Sequence, residues 1–328
     1  MPTQVLLTTD TELSSSLHAE GLSARQNYLR SIEGRCWRGR RWGIGYQLDE
    51  LDRWGLKTVF FVDPMPALVY GPQIVADMVG PILERGHEVQ LHIHTEWLDH
   101  VTDSPVGGRA GRNIGDFSLS DQIILLGLAR DLLVAAGAPP PTAFRAGNYG
   151  ANDDTLRALA AIGIDWDSSF NAAHLDGNCN IGLDPHVHHV TQYEGVQLLP
   201  ISVIEDRPGI LRHAQLCALS SLEMKRALLH AADRGAHFYT VVNHSFEMFV
   251  RGASRGHPLV ARRYRSLCRT IARDDRLVSG GFERLARRGR HRGAPPLPAS
   301  PPRRALRLAE QVGARLLIEE RIDYPPLG

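Results

Sequence analysis

The sequence predicts an α/β fold built on a parallel sheet or barrel. Short apolar segments with strand character alternate along the chain with longer segments whose apolar residues recur at helical spacing. Several apolar segments end in acidic, histidine or arginine side chains. This is typical of parallel α/β proteins, in which active sites lie at the carboxyl ends of the strands. With 328 residues, 43% of them hydrophobic, the chain can bury a large core in one domain or two.

The predicted strands are rich in β-branched, aromatic and leucine side chains, and Pro64 stops the second of them. They span residues 4–10, 57–63, 87–94, 142–145, 164–170, 197–203 and 238–244. Helices are predicted where apolar residues share one stripe, as Leu48, Leu51 and Trp54 do in the first helix. The predicted helices span residues 44–55, 71–85, 121–137, 153–162, 221–234, 257–274 and 303–315.

Four stretches lie outside this alternation. Residues 13–43, rich in Arg and Ser, and the glycine-rich residues 98–117 are predicted as insertions in a catalytic domain that spans residues 1–284. The tail, residues 285–328, is Arg-rich and then Pro-rich, which predicts a linker before a C-terminal helix. Loop-like residues 171–196 contain four histidines, which could form a rim, a second ion site or a solvated surface.

Composition narrows the class of protein. A net charge of +1 gives no electrostatic reason to expect nucleic-acid binding. Cys36, Cys179, Cys217 and Cys268 are scattered, which predicts a reducing compartment and no disulfide framework. The chain starts in a strand without the charged and apolar regions of a signal peptide, and no apolar run approaches membrane-spanning length. A cytoplasmic protein without a transmembrane segment is expected.

Two histidines lie on one face of the predicted strand 87–94. Val89, Leu91 and Ile93 fall on the apolar face at period two, and His92 and His94 fall on the other. Two imidazoles that point the same way are a usable pair of metal ligands if a carboxylate comes from elsewhere. The same pattern also fits a hydrogen-bonded polar face of a strand.

Asp10 and Glu12 follow the first predicted strand and are two residues apart, so in extended backbone both project to the same side. They could instead be ordinary acids of a turn or a helix cap. Arg145 ends another strand, and His244 ends the last one. If the strands are parallel, all these ends lie on one face of the sheet.

This set of side chains is suited to metal-assisted hydrolysis of an amide. A carboxylate and two imidazoles can hold a divalent ion and leave a position open for water. The ion lowers the pKa of that water and polarises a carbonyl group. A second carboxylate can act as general base, and a separate histidine can protonate the leaving amine.

In the order of its motifs, the chain resembles the NodB-homology polysaccharide deacetylases, the fourth carbohydrate esterase family, over residues 4–275. The motifs are Thr8-Thr9-Asp10-Thr11-Glu12, Gly86-His87-Glu88 leading to His92, Arg145-Ala146-Gly147-Asn148-Tyr149-Gly150, Asp167-Ser168-Ser169 and Val242-Asn243-His244. Phe60-Phe61-Val62 lies between the first two. The resemblance implies a distorted (β/α) barrel of about seven parallel strands and a bound divalent cation, often zinc.

The resemblance also implies roles for individual residues. Asp10 matches the general base, and Arg145 matches the residue that orients it. His244 matches the general acid, and Asp167 falls in the motif that tunes or positions that acid. His92 matches the first metal-binding histidine.

The chain departs from the family pattern at the metal. Glu12 stands where members carry the second acid of an Asp-x-Asp pair, and Glu96 stands where the second metal histidine is usual. His94 is an additional histidine, so the predicted metal ligands are Glu12, His92 and His94, with Glu96 as a substitute. Ala146-Gly147 replaces a proline found in many members.

The leading hypothesis is a metal-dependent hydrolase that removes an acetyl or formyl group from the nitrogen of an amino sugar or glycan precursor.

 The expected enzyme is a carbohydrate de-N-acetylase that uses a divalent metal, with zinc the expected ion. A second hypothesis is an amidase, with or without metal, that acts on a non-sugar amide such as a cyclic ureide. A third is a catalytically silent glycan-binding protein, against which the joint presence of Asp10, Arg145 and His244 argues.

Overall fold

The structure is a computed structural model that describes residues 1–34, 41–175, 177–250, 255–285 and 291–319. Cys36 and part of the predicted insertion at 13–43 therefore lie outside the described residues, as do parts of the Arg-rich tail. Within the described residues, Cys179, Cys217 and Cys268 are free thiols. No helix in the same residues is long and apolar enough to span a bilayer.

Strands and helices alternate through most of the chain. The strands are β1 (Thr3–Thr11), β2 (Val59–Val62), β3 (Glu88–Ile93), β4 (Ala143–Ala146), β5 (Trp166–Asp167), β6 (Thr191–Tyr193), β7 (Val196–Leu198), β8 (Val203–Arg207), β9 (Ile210–His213), β10 (Phe238–His244) and β11 (Leu277–Ser279). The α-helices are α1 (Ser15–Ala19), α2 (Ala24–Tyr28), α3 (Gly43–Trp54), α4 (Ala67–Tyr70), α5 (Gln73–Glu84), α6 (Leu119–Ala135), α7 (Asp153–Ala161), α8 (Ser221–Asp233), α9 (Pro258–Arg273) and α10 (Pro301–Ala314).

The main sheet confirms the predicted fold class. Its strands run in the order β10-β1-β2-β3-β4-β5-β7-β6, and each neighbouring pair is parallel except β7 with the edge strand β6. Seven parallel strands therefore follow one another, as a distorted (β/α) barrel of this type requires. β11 pairs with the start of β1, and β8 with β9 forms a separate hairpin.

Burial of the strands explains why they read as continuous apolar runs. Every residue of β1 and of β2 is buried, as expected for parallel strands covered on both faces. The helices contribute amphipathic faces to the same core, with Leu48 and Leu51 of α3 almost fully buried. The register places Asp10 of β1 opposite His244 of β10, and His92 of β3 opposite Arg145 of β4. The polar strand ends thus meet at one edge of the sheet.

The structure differs from the predicted elements in several segments. The predicted strand 197–203 is divided between β7, which ends at Leu198, and β8, which begins at Val203 in the separate hairpin. Residues 13–43 were expected to be irregular, but they contain α1 and α2, and α2 begins with a reciprocal cap between Ser23 and Gln26. The predicted strand 164–170 pairs only at Trp166 and Asp167. The chain then turns, and the Ser168 carbonyl accepts from the Arg145 guanidinium of β4.

Residues 297–314 of the tail pack on the body of the protein. The backbone N–H of Glu205 donates to the Leu297 carbonyl, and the Ala299 N–H donates to the Glu205 carboxylate. In α10, Arg307 is only 1% exposed and forms ion pairs with Asp206 and Glu223, which are also buried. This helix therefore presents charged groups to the protein interior, where each needs its partner.

We expect Arg307→Met to lower the free energy of unfolding by about 3–5 kcal/mol, because buried Glu223 loses its cation and Asp206 is left with partly exposed arginines such as Arg212. Urea denaturation of the full chain measures this change. Arg262, which is 64% exposed in its pair with Glu310, supplies the control. Arg262→Ala should change stability by no more than about 1 kcal/mol. Equal, small effects of both substitutions would contradict the interpretation.

Candidate active site

A cavity of about 240 Å³ opens at the carboxyl ends of β1, β3, β4 and β10. Its walls are formed by Asp10, Glu12, His92, His94, Ala146, Asn148, Tyr149, His174, Asn178, His213, Gln215 and His244. Five of the predicted site residues are in this group. Arg145 lies fully buried behind Asp10, and Asp167 is buried away from the cavity wall.

Glu12, His92 and His94 form a cluster whose ligand atoms all lie within 4.8 Å of one another. Glu12 Oε2 is 3.0 Å from His92 Nε2 and 2.6 Å from His94 Nε2. Each imidazole is bonded from behind through its other nitrogen. His92 Nδ1 lies 2.6 Å from the Arg145 carbonyl, and His94 Nδ1 lies 3.1 Å from the Glu96 carboxylate.

These contacts fit a divalent cation. Histidine ligands of metals usually donate their second ring N–H to a carbonyl or carboxylate, which fixes the tautomer and aims the free nitrogen at the ion. His92 and His94 show both types of anchor, and two imidazoles with one carboxylate are a donor set typical of zinc. Glu96 lies behind His94 rather than beside Glu12, so the arrangement favours Glu96 as support for a ligand.

Charge is concentrated in this cluster despite its burial. Burial opposes ionisation of Glu12, but the neighbouring His94 and His92 hold the pKa of that carboxyl well below its usual range. Burial likewise opposes a charge on His94, but the Glu12 carboxylate raises the pKa of His94 well above its usual value. The cluster can therefore hold the Glu12 carboxylate and a cationic His94 together in the interior.

A second group of side chains connects Arg145, Asp10 and His244. Arg145 Nη1 donates to Asp10 Oδ1 at 2.7 Å and to Thr8 Oγ1 at 2.8 Å. The guanidinium also lies 4.3 Å from the centre of the Phe61 ring. Asp10 Oδ2 faces the cavity, 3.7 Å from His244 Nε2. Arg145 thus fixes one carboxylate oxygen and leaves the other directed at His244.

Asp167 supports this group from a distance and does not contact His244. Its carboxylate accepts from the N–H of Ser169 at 2.8 Å and from the hydroxyl of Ser169 at 2.6 Å. The turn orders Ser168, whose carbonyl and hydroxyl both accept from the Arg145 guanidinium at 3.2 Å. Burial raises the pKa of Asp167 to about 6, although the hydrogen bonds from Ser169 act to lower it.

Sequence reasoning missed two acids near the site. Glu247 accepts a hydrogen bond from His244 Nδ1 at 2.9 Å, three residues along the chain. Asp63 follows β2 at the same sheet edge. Burial raises the pKa of Asp63 to about 7, although the charges of His94 and His92 act to lower it. For Asp63 the available signal was an acid directly after an apolar strand, the same pattern as Asp10.

The rim of the cavity contains one of the four loop histidines. His174 stacks on the Tyr149 ring at 5.4 Å, with His213 against both. The other three described histidines of that loop do not line the cavity.

Asn148 and Tyr149 have positive φ angles of 57°, an unfavourable backbone for residues other than glycine. In this conformation the side-chain amide of Asn148 donates to the Glu96 carboxylate at 3.1 Å.

Comparison with known proteins identifies the fold. No family model and no curated protein matches the sequence. Among solved structures, a candidate polysaccharide deacetylase from Mycobacterium smegmatis aligns over 99% of this chain and 95% of its own, with 19% identity and a TM-score of 0.53. A 4-alpha-glucanotransferase from Thermococcus litoralis aligns over 92% of this chain and 42% of its own, with 11% identity and a TM-score of 0.54.

The chain has the polysaccharide-deacetylase fold. The glucanotransferase shares this scaffold under a different activity, so the fold alone does not define a reaction. The side chains at the strand ends must therefore carry the functional argument.

Within this deacetylase fold, Gly147 makes room for His94. A Cβ added at Gly147 would lie 2.6 Å from the Ile93 carbonyl oxygen and 2.8 Å from the His94 ring. Both distances are shorter than real contacts of a Cβ, and the obstructing atoms are a backbone oxygen and a ring that Glu12 and Glu96 hold in place. The position predicted as a departure from the family pattern is therefore coupled to the additional histidine.

We expect Gly147→Ala to lower the affinity for Zn²⁺ by about tenfold or more, the effect of disturbing a ligand's support, because the new methyl displaces the His94 ring. Titration calorimetry of the metal-free protein measures this affinity. Gly127→Ala, at a helical site with no atom within 4 Å of the added Cβ, is the matched control and should bind as the wild type does. Unchanged affinity in Gly147→Ala would contradict the proposed coupling.

Proposed function

We propose that the protein is a hydrolase that removes an acetyl or formyl group from the nitrogen of an amino sugar or glycan precursor. One observation carries the proposal: Asp10 lies between Arg145 and His244 in the same cavity as the Glu12, His92 and His94 cluster. General base, general acid and a metal-binding set are then within reach of one small substrate.

Glu12, His92 and His94 would hold a divalent cation, and zinc is the ion that their donor atoms suit best. Such an ion supplies an activated water and polarises the acyl oxygen. Asp10 accepts the proton of the attacking water, and Arg145 holds one carboxylate oxygen so that the other faces the cavity. His244 then donates a proton to the nitrogen as the C–N bond breaks, which releases the amine and a carboxylic acid.

His244 is in the protonated form that this step requires. Burial lowers the pKa of the imidazole, but the hydrogen bond to Glu247, that carboxylate's charge and the charge of Asp10 overcome burial and raise the pKa to about 9. At neutral pH His244 is therefore a cation with a proton on Nε2, the nitrogen that faces Asp10 and the cavity.

The character of the cavity supports a sugar as substrate. Asn148 and Asn178 offer amide groups to hydroxyls, and the Tyr149–His174 stack offers an aromatic surface. Its volume of about 240 Å³ lies below the roughly 300–1,000 Å³ of sites for drug-sized ligands. The cavity thus suits one amino-sugar unit with its acyl group.

We expect Asp10→Asn to reduce kcat by about 10²–10⁴-fold, because the amide cannot accept the proton of the attacking water. Mass spectrometry of a panel of N-acetyl and N-formyl amino sugars measures the loss of the acyl group. Asp49→Asn, at an exposed helical position, is the control and should retain activity. A zinc-loaded wild type that is inactive on the whole panel but cleaves a non-sugar amide would overturn the sugar substrate, and inactivity on every amide would overturn the hydrolase.

The pH dependence of kcat should show an alkaline limb near pH 9. As the pH rises through the pKa of His244, about 9, the imidazolium loses the proton that the leaving nitrogen needs. Initial rates between pH 6 and about 10.5 at saturating substrate measure the limb. His244→Asn should retain low activity without this limb, and an unaltered limb in that variant would assign it to another group.

A further inference from the structure

We propose that Glu247 is the positioning residue of His244, in place of Asp167, to which the family resemblance gave that role. The inference rests on the proposed function of His244 as general acid. Glu247 belongs to the short helical turn Ser245–Met248 that directly follows β10, so it is held on the same rigid strand end as the histidine. No comparable connection joins Asp167 to His244.

Geometry assigns the orientation of the His244 ring. Nδ1 donates to Glu247 Oε1 at 2.9 Å, and the Glu247 side chain is only 6% exposed. With Nδ1 turned to this carboxylate, Nε2 is directed to the cavity and to Asp10. The Phe246 ring stacks on the imidazole at 4.8 Å and limits its rotation. Glu247 therefore selects which nitrogen meets the substrate.

A chain of hydrogen bonds holds Glu247 in turn. Gln215 donates its amide N–H to Glu247 Oε1, and the amide oxygen of Gln215 accepts from His213 Nε2. His213 Nδ1 lies 3.3 Å from His174 Nε2. Burial lowers the pKa of His213 to about 4, so this ring is neutral and can donate at Nε2 while accepting at Nδ1. Every donor in the chain can then point toward the Glu247 carboxylate.

Asp167 has no part in this chain. Its carboxylate accepts from the N–H and the hydroxyl of Ser169, and these bonds order the turn that supports Arg145. The charged groups that face His244 are Glu247 from its own segment, Asp10 from β1 and Glu12, which directly follows β1. Of these, Glu247 alone bonds Nδ1, so its removal should change the orientation of the general acid as well as its charge.

Glu247→Gln is the decisive variant, because an amide of the same shape removes the charge and weakens acceptance from Nδ1. We expect kcat to fall roughly ten- to a hundredfold, less than the ~10²–10⁴ that acid–base catalysis contributes in full. KM should stay near the wild-type value, and the alkaline limb of kcat should move to lower pH. Glu247→Asp, which restores the charge, should recover part of the lost rate.

Glu223→Gln is the matched control, since Glu223 is another buried glutamate with an arginine partner remote from the cavity. It should lose stability but keep the wild-type kcat and pH profile per folded molecule. An unchanged kcat and alkaline limb in Glu247→Gln, or an equal loss of rate in Glu223→Gln, would overturn the role of Glu247.

Proton NMR of the wild type and Glu247→Gln separates this inference from the proposed function. The hydrogen-bonded Nδ1–H of His244 should give a downfield resonance that disappears in Glu247→Gln and persists in Asp167→Asn. Loss of the signal in Asp167→Asn with retention in Glu247→Gln would overturn the inference. Absence of hydrolysis by the wild type would instead contradict the proposed function, whatever the NMR result.

Discussion

The contact between Arg145 and Asp10 is the constraint on which the site depends. A guanidinium with no exposed surface requires a carboxylate and further acceptors, because an uncompensated buried charge costs several kcal/mol. Arg145 comes from β4, Asp10 from β1, and the remaining acceptors from the turn at Ser168. Satisfying one cation therefore fixes the relative positions of three separate strand ends, and β2 contributes the Phe61 ring beneath it.

The reactive side chains are all anchored on the side away from the cavity. A backbone carbonyl holds His92, Glu96 holds His94, and Glu247 holds His244. These anchors cost little conformational freedom during a reaction, because the sheet and its short turns already hold them. Many charged groups can be buried together here, because the partner of each group reduces the cost of removing it from water.

Sequence reasoning reached the strand ends but not their supports. Period-two alternation and apolar runs placed Asp10, Glu12, His92, His94 and His244 at one sheet edge, because parallel strands align their carboxyl ends. Glu247 and Gln215 escaped because a partner that comes from a turn or a separate hairpin has no periodicity to reveal it. The caps of α2 were visible as Ser23 and Gln26, but the surrounding Arg-rich composition obscured them.

The close contact between Gly147 and His94 limits the order of substitutions by which such a site can be engineered or can evolve. The imidazole occupies the volume that any larger residue at 147 would fill. A related scaffold with a bulkier residue there cannot accept a histidine at the position of His94 until that residue has been reduced to glycine. The order of the two changes is thereby set by volume, with the small residue first and the ligand second.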